Sequence, residues 1–204
     1  MGVRILVRPA IAALLALAPA AVAADVYEAP AHGLTVRDAP GGAVVETLPP
    51  GHGPIETTGR DQTGTWSRIG LAEGDGWVAR DALAPREVAR FQGTTVPEGL
   101  ICSGTEPFWS ATLAADGVTL AAPGVDAEDW SLGAQSVAEG RAGTPALFTL
   151  GRDDASAMLL IREAPCSDGM SDRTHAWQAD LVRELGADTP LALRTGCCRL
   201  PTAP

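Results

Sequence analysis

Thr65-Trp66-Ser67-Arg68-Ile69, then the turn Glu73-Gly74-Asp75-Gly76, then Trp77-Val78-Ala79, is the stretch that decides the fold. The first run alternates side chains in the manner of a half-buried strand. Glycine and acid at the turn suit a tight hairpin, and the last run is a short returning strand. Upstream the pattern repeats. Gly33 to Arg37 alternates, Asp38 to Gly42 is a turn cluster, and Ala43 to Leu48 is a strand stopped by Pro49-Pro50-Gly51. Pro54 to Thr58 is a further strand and Gly59 to Gly64 a polar loop. Five short strands joined by tight turns predict a small β-barrel.

Downstream, Phe108 to Ala114 and Val118 to Ala122 flank Ala115-Asp116-Gly117, a strong hairpin signal. Asp129 to Val137, Ala146 to Leu150, Ala157 to Arg162 and Leu191 to Leu200 read as strands. Thr174 to Leu185 fits two periods, because Trp177, Leu181 and Leu185 recur every four residues and Ala179 also falls on period two. The turn-like Gly186-Ala187-Asp188 after it favours a strand. The class expected is all-β: a small barrel over 25–85, a linker over 86–99, and an antiparallel β-barrel or sandwich over 100–204.

The first 24 residues have the order of a secretory signal peptide. Arg4 and Arg8 precede an apolar run from Ile11 to Ala18, and small residues end at Ala24. That run is shorter than the ~20 residues a membrane helix needs, so neither an anchor nor any later membrane span is expected. The first cysteine is Cys102, so lipid attachment at a mature N-terminus is not expected. The leader carries two arginines and no acid, so cleavage deepens the net charge from −10 to −12. Such a chain repels nucleic acid and anionic membrane surfaces. All fifteen basic residues are arginine, which removes Schiff-base lysines and phosphate-loop lysines together.

Cys102, Cys166, Cys197 and Cys198 form an even set, which in an oxidising compartment reads as two disulfides. Adjacent cysteines rarely bond each other, leaving two connectivities open. Neighbours on a strand face opposite sides, so Cys197 and Cys198 could staple different faces. A zinc site with His175 lacks the C-x-x-C spacing, and no metal or other cofactor is expected.

Two resemblances follow. Leu34-Thr35-Val36-Arg37, Leu48-Pro49-Pro50-Gly51, the Gly64/Trp66/Ile69 spacing and Gly74 to Ala79, in that order, resemble a bacterial SH3 domain over about 26–84. That resemblance implies a small β-barrel in an exported protein that binds cell-wall peptides or other envelope ligands. Gly104 to Trp109, Cys166 to Asp172 and Gly196-Cys197-Cys198 resemble a domain of bacterial envelope proteins and lipoproteins with no established activity, over about 100–199. Members commonly keep the equivalents of Cys166 and Cys197, which implies Cys166–Cys197 and hence Cys102–Cys198. The chain departs from the lipoprotein members in lacking a lipid-attachment cysteine.

Three groups are candidate ligand contacts. Asp168, Asp172 and Arg173 stand with Ser167 and Ser171 in one short loop. Carboxylates at that density can meet a cation or an amine, although Asp and Ser bonding their own backbone amides would produce the same sequence, with Arg173 paired to an adjacent acid. Glu106 beside Phe108 and Trp109 could line a pocket, or the rings could be core. Trp66, with Asp61 and the acids Glu73 and Asp75 nearby, suggests a groove for a cationic peptide, with Trp77 expected in or near the core. A hydrolase using His175 finds no nucleophile elbow, so the chain is expected to be non-enzymatic. The function expected is a periplasmic or secreted envelope protein that binds cell-wall peptide or glycan. The alternative is a protein-interaction or inhibitor protein acting through Cys166 to Arg173 on an envelope protein partner. The oligomeric state stays open.

Overall fold

The structure, a computed structural model, describes residues 26–183 and 191–202. The expected leader and the Gly186 to Asp188 turn lie outside the described residues. The chain is all-β. The N-terminal strands are β1 (Val26–Glu28), β2 (Leu34–Arg37), β3 (Val44–Leu48), β4 (Ile55–Arg60), β5 (Trp66–Gly70), β6 (Asp75–Ala79) and β7 (Ala84–Pro85). They pair antiparallel in the order β3-β2-β6-β5-β4-β1-β7. Their inward side chains, including Leu34, Val36, Ile55, Ile69 and Val78, make one core.

The second unit comprises β8 (Ile101–Thr105), β9 (Phe108–Ala114), β10 (Gly117–Ala122), β11 (Val125–Val137), β12 (Ala146–Arg152), β13 (Ala155–Ser167), β14 (Thr174–Arg183) and β15 (Ala192–Arg199). These eight close into a barrel in which each strand pairs with the next and β8 pairs with β15. Period-two alternation fills it: Ala146, Phe148 and Leu150 on β12, Leu159 and Ile161 on β13, and Trp177, Ala179 and Leu181 on β14 all point inward. The period-two reading of Thr174 to Leu185 therefore holds as far as Arg183.

The segment expected to be a plain linker is part of the second core. Phe91 and Val96 are buried there, held by backbone bonds from Phe91 N–H to the Val96 carbonyl and from Glu98 N–H to the Ala89 carbonyl. Phe91 meets Phe148 edge-on, ring centroids 5.0 Å apart.

The bridges are Cys102–Cys198 and Cys166–Cys197. Cys102 and Cys198 lie directly opposite each other where β8 meets β15, and both belong to the barrel core. Cys197, on the other face of β15, reaches across β14 to Cys166. One staple thus locks the closing seam from inside, and the other ties the end of β13 to the same seam.

Trp109 fills the barrel, and its indole N–H donates to the Thr195 carbonyl at 3.3 Å. The opposing Gly104 makes this possible, because a Cβ there would stand 2.2 Å from the Trp109 indole nitrogen.

The N-terminal sheet docks on the barrel through β4 and β5 against β13 and β14. Adjacent residues of β1 serve the two cores: Val26 belongs to the second and Tyr27 to the first. Across the junction, Asp75 Oδ1 accepts from Thr174 N–H at 2.7 Å and Oδ2 from the Thr174 hydroxyl at 2.6 Å. Gly70 lets β14 approach, since a Cβ there would fall 2.8 Å from the Thr174 carbonyl oxygen and 2.7 Å from Arg173 Nε.

Loop-closure entropy ranks the two bridges. The 96-residue separation is worth about 4–5 kcal/mol in the chain-entropy model and the 31-residue separation about 3–4 kcal/mol. Cys102→Ala/Cys198→Ala should therefore lower the unfolding free energy in urea by about 1 kcal/mol more than Cys166→Ala/Cys197→Ala; the reverse order would contradict the seam's primacy. Gly70→Ala should destabilise the chain by about 1–3 kcal/mol through overpacking at the junction, and an unchanged urea midpoint would show that the close approach is not needed.

Candidate functional site

Strand alternation carries Glu56 to the junction. Ile55 enters the first core, so the next side chain on β4 faces the barrel. There Glu56 Oε2 accepts the Leu200 N–H at 3.1 Å, while Oε1 is shut off from solvent and has no hydrogen-bond partner among the described residues. Part of the residue still meets solvent, but the carboxyl itself is enclosed. Burial pushes its pKa up to about 7, against the opposing pull of the Leu200 N–H, Arg173, the Trp177 side chain and Arg199.

Glu56 stands in the wall of a cleft of about 630 Å³ between the two units. Arg173, His175 and Arg199 line the same space from the barrel side, and Glu46 and Glu73 from the sheet side. Burial and then the charge of Arg199 push the Arg173 pKa down, while Glu56, Asp75 and Asp168 oppose that shift. Arg173 Nε is buried and has no hydrogen-bond partner among the described residues.

The His175 side chain is only 10% exposed, and among the described residues neither ring nitrogen has a hydrogen-bond partner. Its Nε2 stands 3.5 Å from Asp168 Oδ2, an ion-pair distance too long for a good hydrogen bond. Burial, followed by Arg173, lowers its pKa, so the imidazole is neutral at pH 7; Asp168 works the other way.

Asp168 organises the loop. Its Oδ1 accepts the Met170 and Ser171 N–H groups at 2.9 Å each, and the Ser171 hydroxyl donates to the same carboxylate. Burial raises its pKa, but these N–H groups outweigh it, and the net value falls to about 2. This is the turn chemistry weighed from the sequence. Ser171 bonds the carboxylate and no group hydrogen-bonds the imidazole, so His175, Asp168 and Ser171 are not arranged as a nucleophile, base and orienter.

Asp168 and Arg173 come to the cleft, whereas Asp172 stays exposed and outside its lining. The expected pairing of Arg173 with an adjacent acid does not occur. Its side chain instead passes Gly70 of β5, and it forms no ion pair within 4 Å among the described residues. Trp77 is half-buried on the outer face of β6, because the neighbouring Gly76 and Val78 take the inward positions. Trp66 shares that face through the pairing of Arg68 with Trp77 and of Trp66 with Ala79. Its ring is covered by the Arg37 guanidinium, 5.9 Å from the centroid, so the chain's own cation occupies the place expected for a ligand's. Asp61 accepts from Trp66 N–H at 2.9 Å and from the Thr63 hydroxyl, fixing the β4–β5 turn; the Thr63 hydroxyl bond and then the Trp66 N–H lower its pKa. Glu106 is exposed in the β8–β9 turn while Trp109 is core, so the two do not line one pocket.

No family model, curated protein or solved structure matches the chain.

Glu56 and Arg199 carry no motif in the sequence. Glu56 sits beside Ile55 in an ordinary alternating strand and Arg199 follows the cysteine pair, so only the docking of the two units brings them together. His175 was readable from the sequence only as a histidine near acids and serines, weighed for a zinc site and for a hydrolase.

The raised pKa of Glu56 gives a signed pH effect. Its folded value lies above the ordinary 4.5, so its contribution to stability is complete below pH 4.5 and is lost as pH rises through about 7. The unfolding free energy of the wild type minus that of Glu56→Gln should fall across that window by up to about 3 kcal/mol. Taking the difference cancels the other titrating groups. A difference that stays level with pH would mean the carboxyl is solvated.

Proposed function

We propose that this chain is an exported, non-enzymatic envelope protein that holds a cell-wall or other peptide ligand in the cleft between its two units. The observation that carries this is the cleft itself: it is about 630 Å³, walled by both units, and contains buried polar atoms with no partner. Spaces of this size with a few converging polar groups are the usual form of ligand sites. Export is supported by the leader-like first 24 residues and by two formed disulfides. Among the described residues no helix is long and apolar enough to cross a membrane.

The resemblance to bacterial SH3 domains agrees with a peptide ligand, but the seat moves. The indole face of Trp66 is already taken by Arg37, whereas the cleft offers unsatisfied groups.

One observation favours the second reading, a protein-interaction or inhibitor role. Met170 is 69% exposed at the tip of the Cys166 to Arg173 loop, which the Cys166–Cys197 bridge and Asp168 hold rigid. Loops of that kind can enter a partner's site.

Purified mature protein should pellet with cell-wall sacculi, and soluble muropeptides should compete it off. Failure to pellet together with no muropeptide binding would remove the first reading. Capture of one envelope protein through Met170, lost on Met170→Asp, would support the second.

A further inference from the structure

We propose that the inner wall of the cleft is a subsite for a peptide C-terminus, whose carboxylate is held by Arg173 and Arg199 while its last amide N–H meets Glu56. This rests on the reading that the cleft takes a peptide.

Three features of the wall point there. First, Arg173 and Arg199 both line the cleft, and neither makes an ion pair within 4 Å among the described residues. Their charges are felt by each other and by Glu56. Guanidinium groups are shaped for planar carboxylates, which they hold by two parallel N–H bonds. Second, the atoms left without partners are of both kinds. Arg173 Nε is a donor, Glu56 Oε1 an acceptor when ionised, and neutral His175 offers one of each. Native proteins leave few such buried atoms unpaired, because each loses its bonds to water without gaining a partner. A ligand that satisfies them must bring acceptors and a donor close together. A peptide C-terminus does so, with two carboxylate oxygens and an N–H on the same residue. Third, the sheet-side wall carries Glu46 and Glu73. With Asp168, which lines the same cleft, they oppose a multiply charged anion such as phosphate more than a single carboxylate.

The seat is also preformed. Asp75 grips Thr174, which lies between Arg173 and His175, and the Leu200 N–H fixes the Glu56 carboxyl from the strand end that carries Arg199. Little ordering remains to oppose binding.

The test titrates the mature protein by calorimetry with three probes: N-acetyl-alanyl-alanine, the same dipeptide as its C-terminal amide, and inorganic phosphate. The acid should bind saturably, the amide at least tenfold more weakly, and phosphate no better than the amide. Arg199→Gln should weaken the acid at least tenfold and the amide by a smaller factor, because the amide keeps an acceptor oxygen but no charge for the guanidinium. Should Arg199→Gln fail to fold, Arg173→Gln is measured in its place, and the comparison of acid with amide on the wild type stands by itself. Equal binding of acid and amide, phosphate binding as tight as the acid, an unaffected arginine variant, or no binding of the acid at millimolar concentration would each overturn the subsite. Sacculus pelleting that persists when the acid fails would show that the cleft reading survives without this subsite.

Discussion

The closing seam between β8 and β15 is the constraint on which the rest depends. A sheet becomes a barrel only when its first and last strands meet, and here they are far apart in sequence, so closure must overcome the entropy of a long loop. Cys102–Cys198 makes that closure covalent from the inside. Because the next cysteine points outward, the same two residues of β15 also fix Cys166, and with it the turn that begins at Ser167. The Cys166 to Arg173 loop is therefore placed by the seam, and not by its own few contacts. Asp168 then finishes the loop locally by collecting the N–H groups that the turn leaves open.

Polar contacts and packing share the work at the junction of the two units. The Val26 side chain and the Gly70 approach supply close packing, while Asp75 with Thr174, and Glu56 with Leu200, supply direction. Direct hydrogen bonds to a charged acceptor are among the stronger contacts available, and two of them converge on Thr174. The consequence is a cleft whose walls come from separate cores yet are held in one register. The burial of the Glu56 carboxyl works against stability as pH rises, while its Oε2 still takes the Leu200 N–H. Burdens of this kind collect at functional sites.

The strand pattern was legible because it is local. Period-two alternation and the Asp116-Gly117 turn specify β9 and β10 without reference to anything distant. The even cysteine count fixed the number of bridges, while their pairing came only from the likeness to a family. Trp77 misled because an aromatic residue in a small domain suggests core, yet parity is set by Val78, whose inward position forces its neighbour outward. The linker misled in the opposite way. Gly93, Pro97 and Gly99 break regular structure, but breaks say nothing about burial, and Phe91 and Val96 are core residues on an irregular backbone. Of the candidate contacts, Asp168 and Arg173 reached the cleft because they belong to the disulfide-pinned loop. Glu56 and Arg199 were beyond reach, since 143 positions separate them and only docking makes them neighbours.

Two surfaces are candidates for the ligand proposed above, and their electrostatics separate them. On the outer face of β5 and β6, Trp66 and Trp77 lie among Arg37 and Arg68, and Arg37 already covers one ring. A cationic ligand would have to displace a cation that is tethered and therefore always at high local concentration. In the cleft the balance is reversed. Arg173 and Arg199 line an open volume that they share with Glu46, Glu73 and Asp168, and with Glu56, whose carboxyl burial draws toward its neutral form. In an acidic chain, two guanidinium groups without an ion pair among the described residues give this recess a local place for a carboxylate, while the acids around it limit the charge it can take. The favoured ligand is thus one that presents a single negative charge at its end, and the geometry of the docked units, not the aromatic surface of the first, decides where it sits.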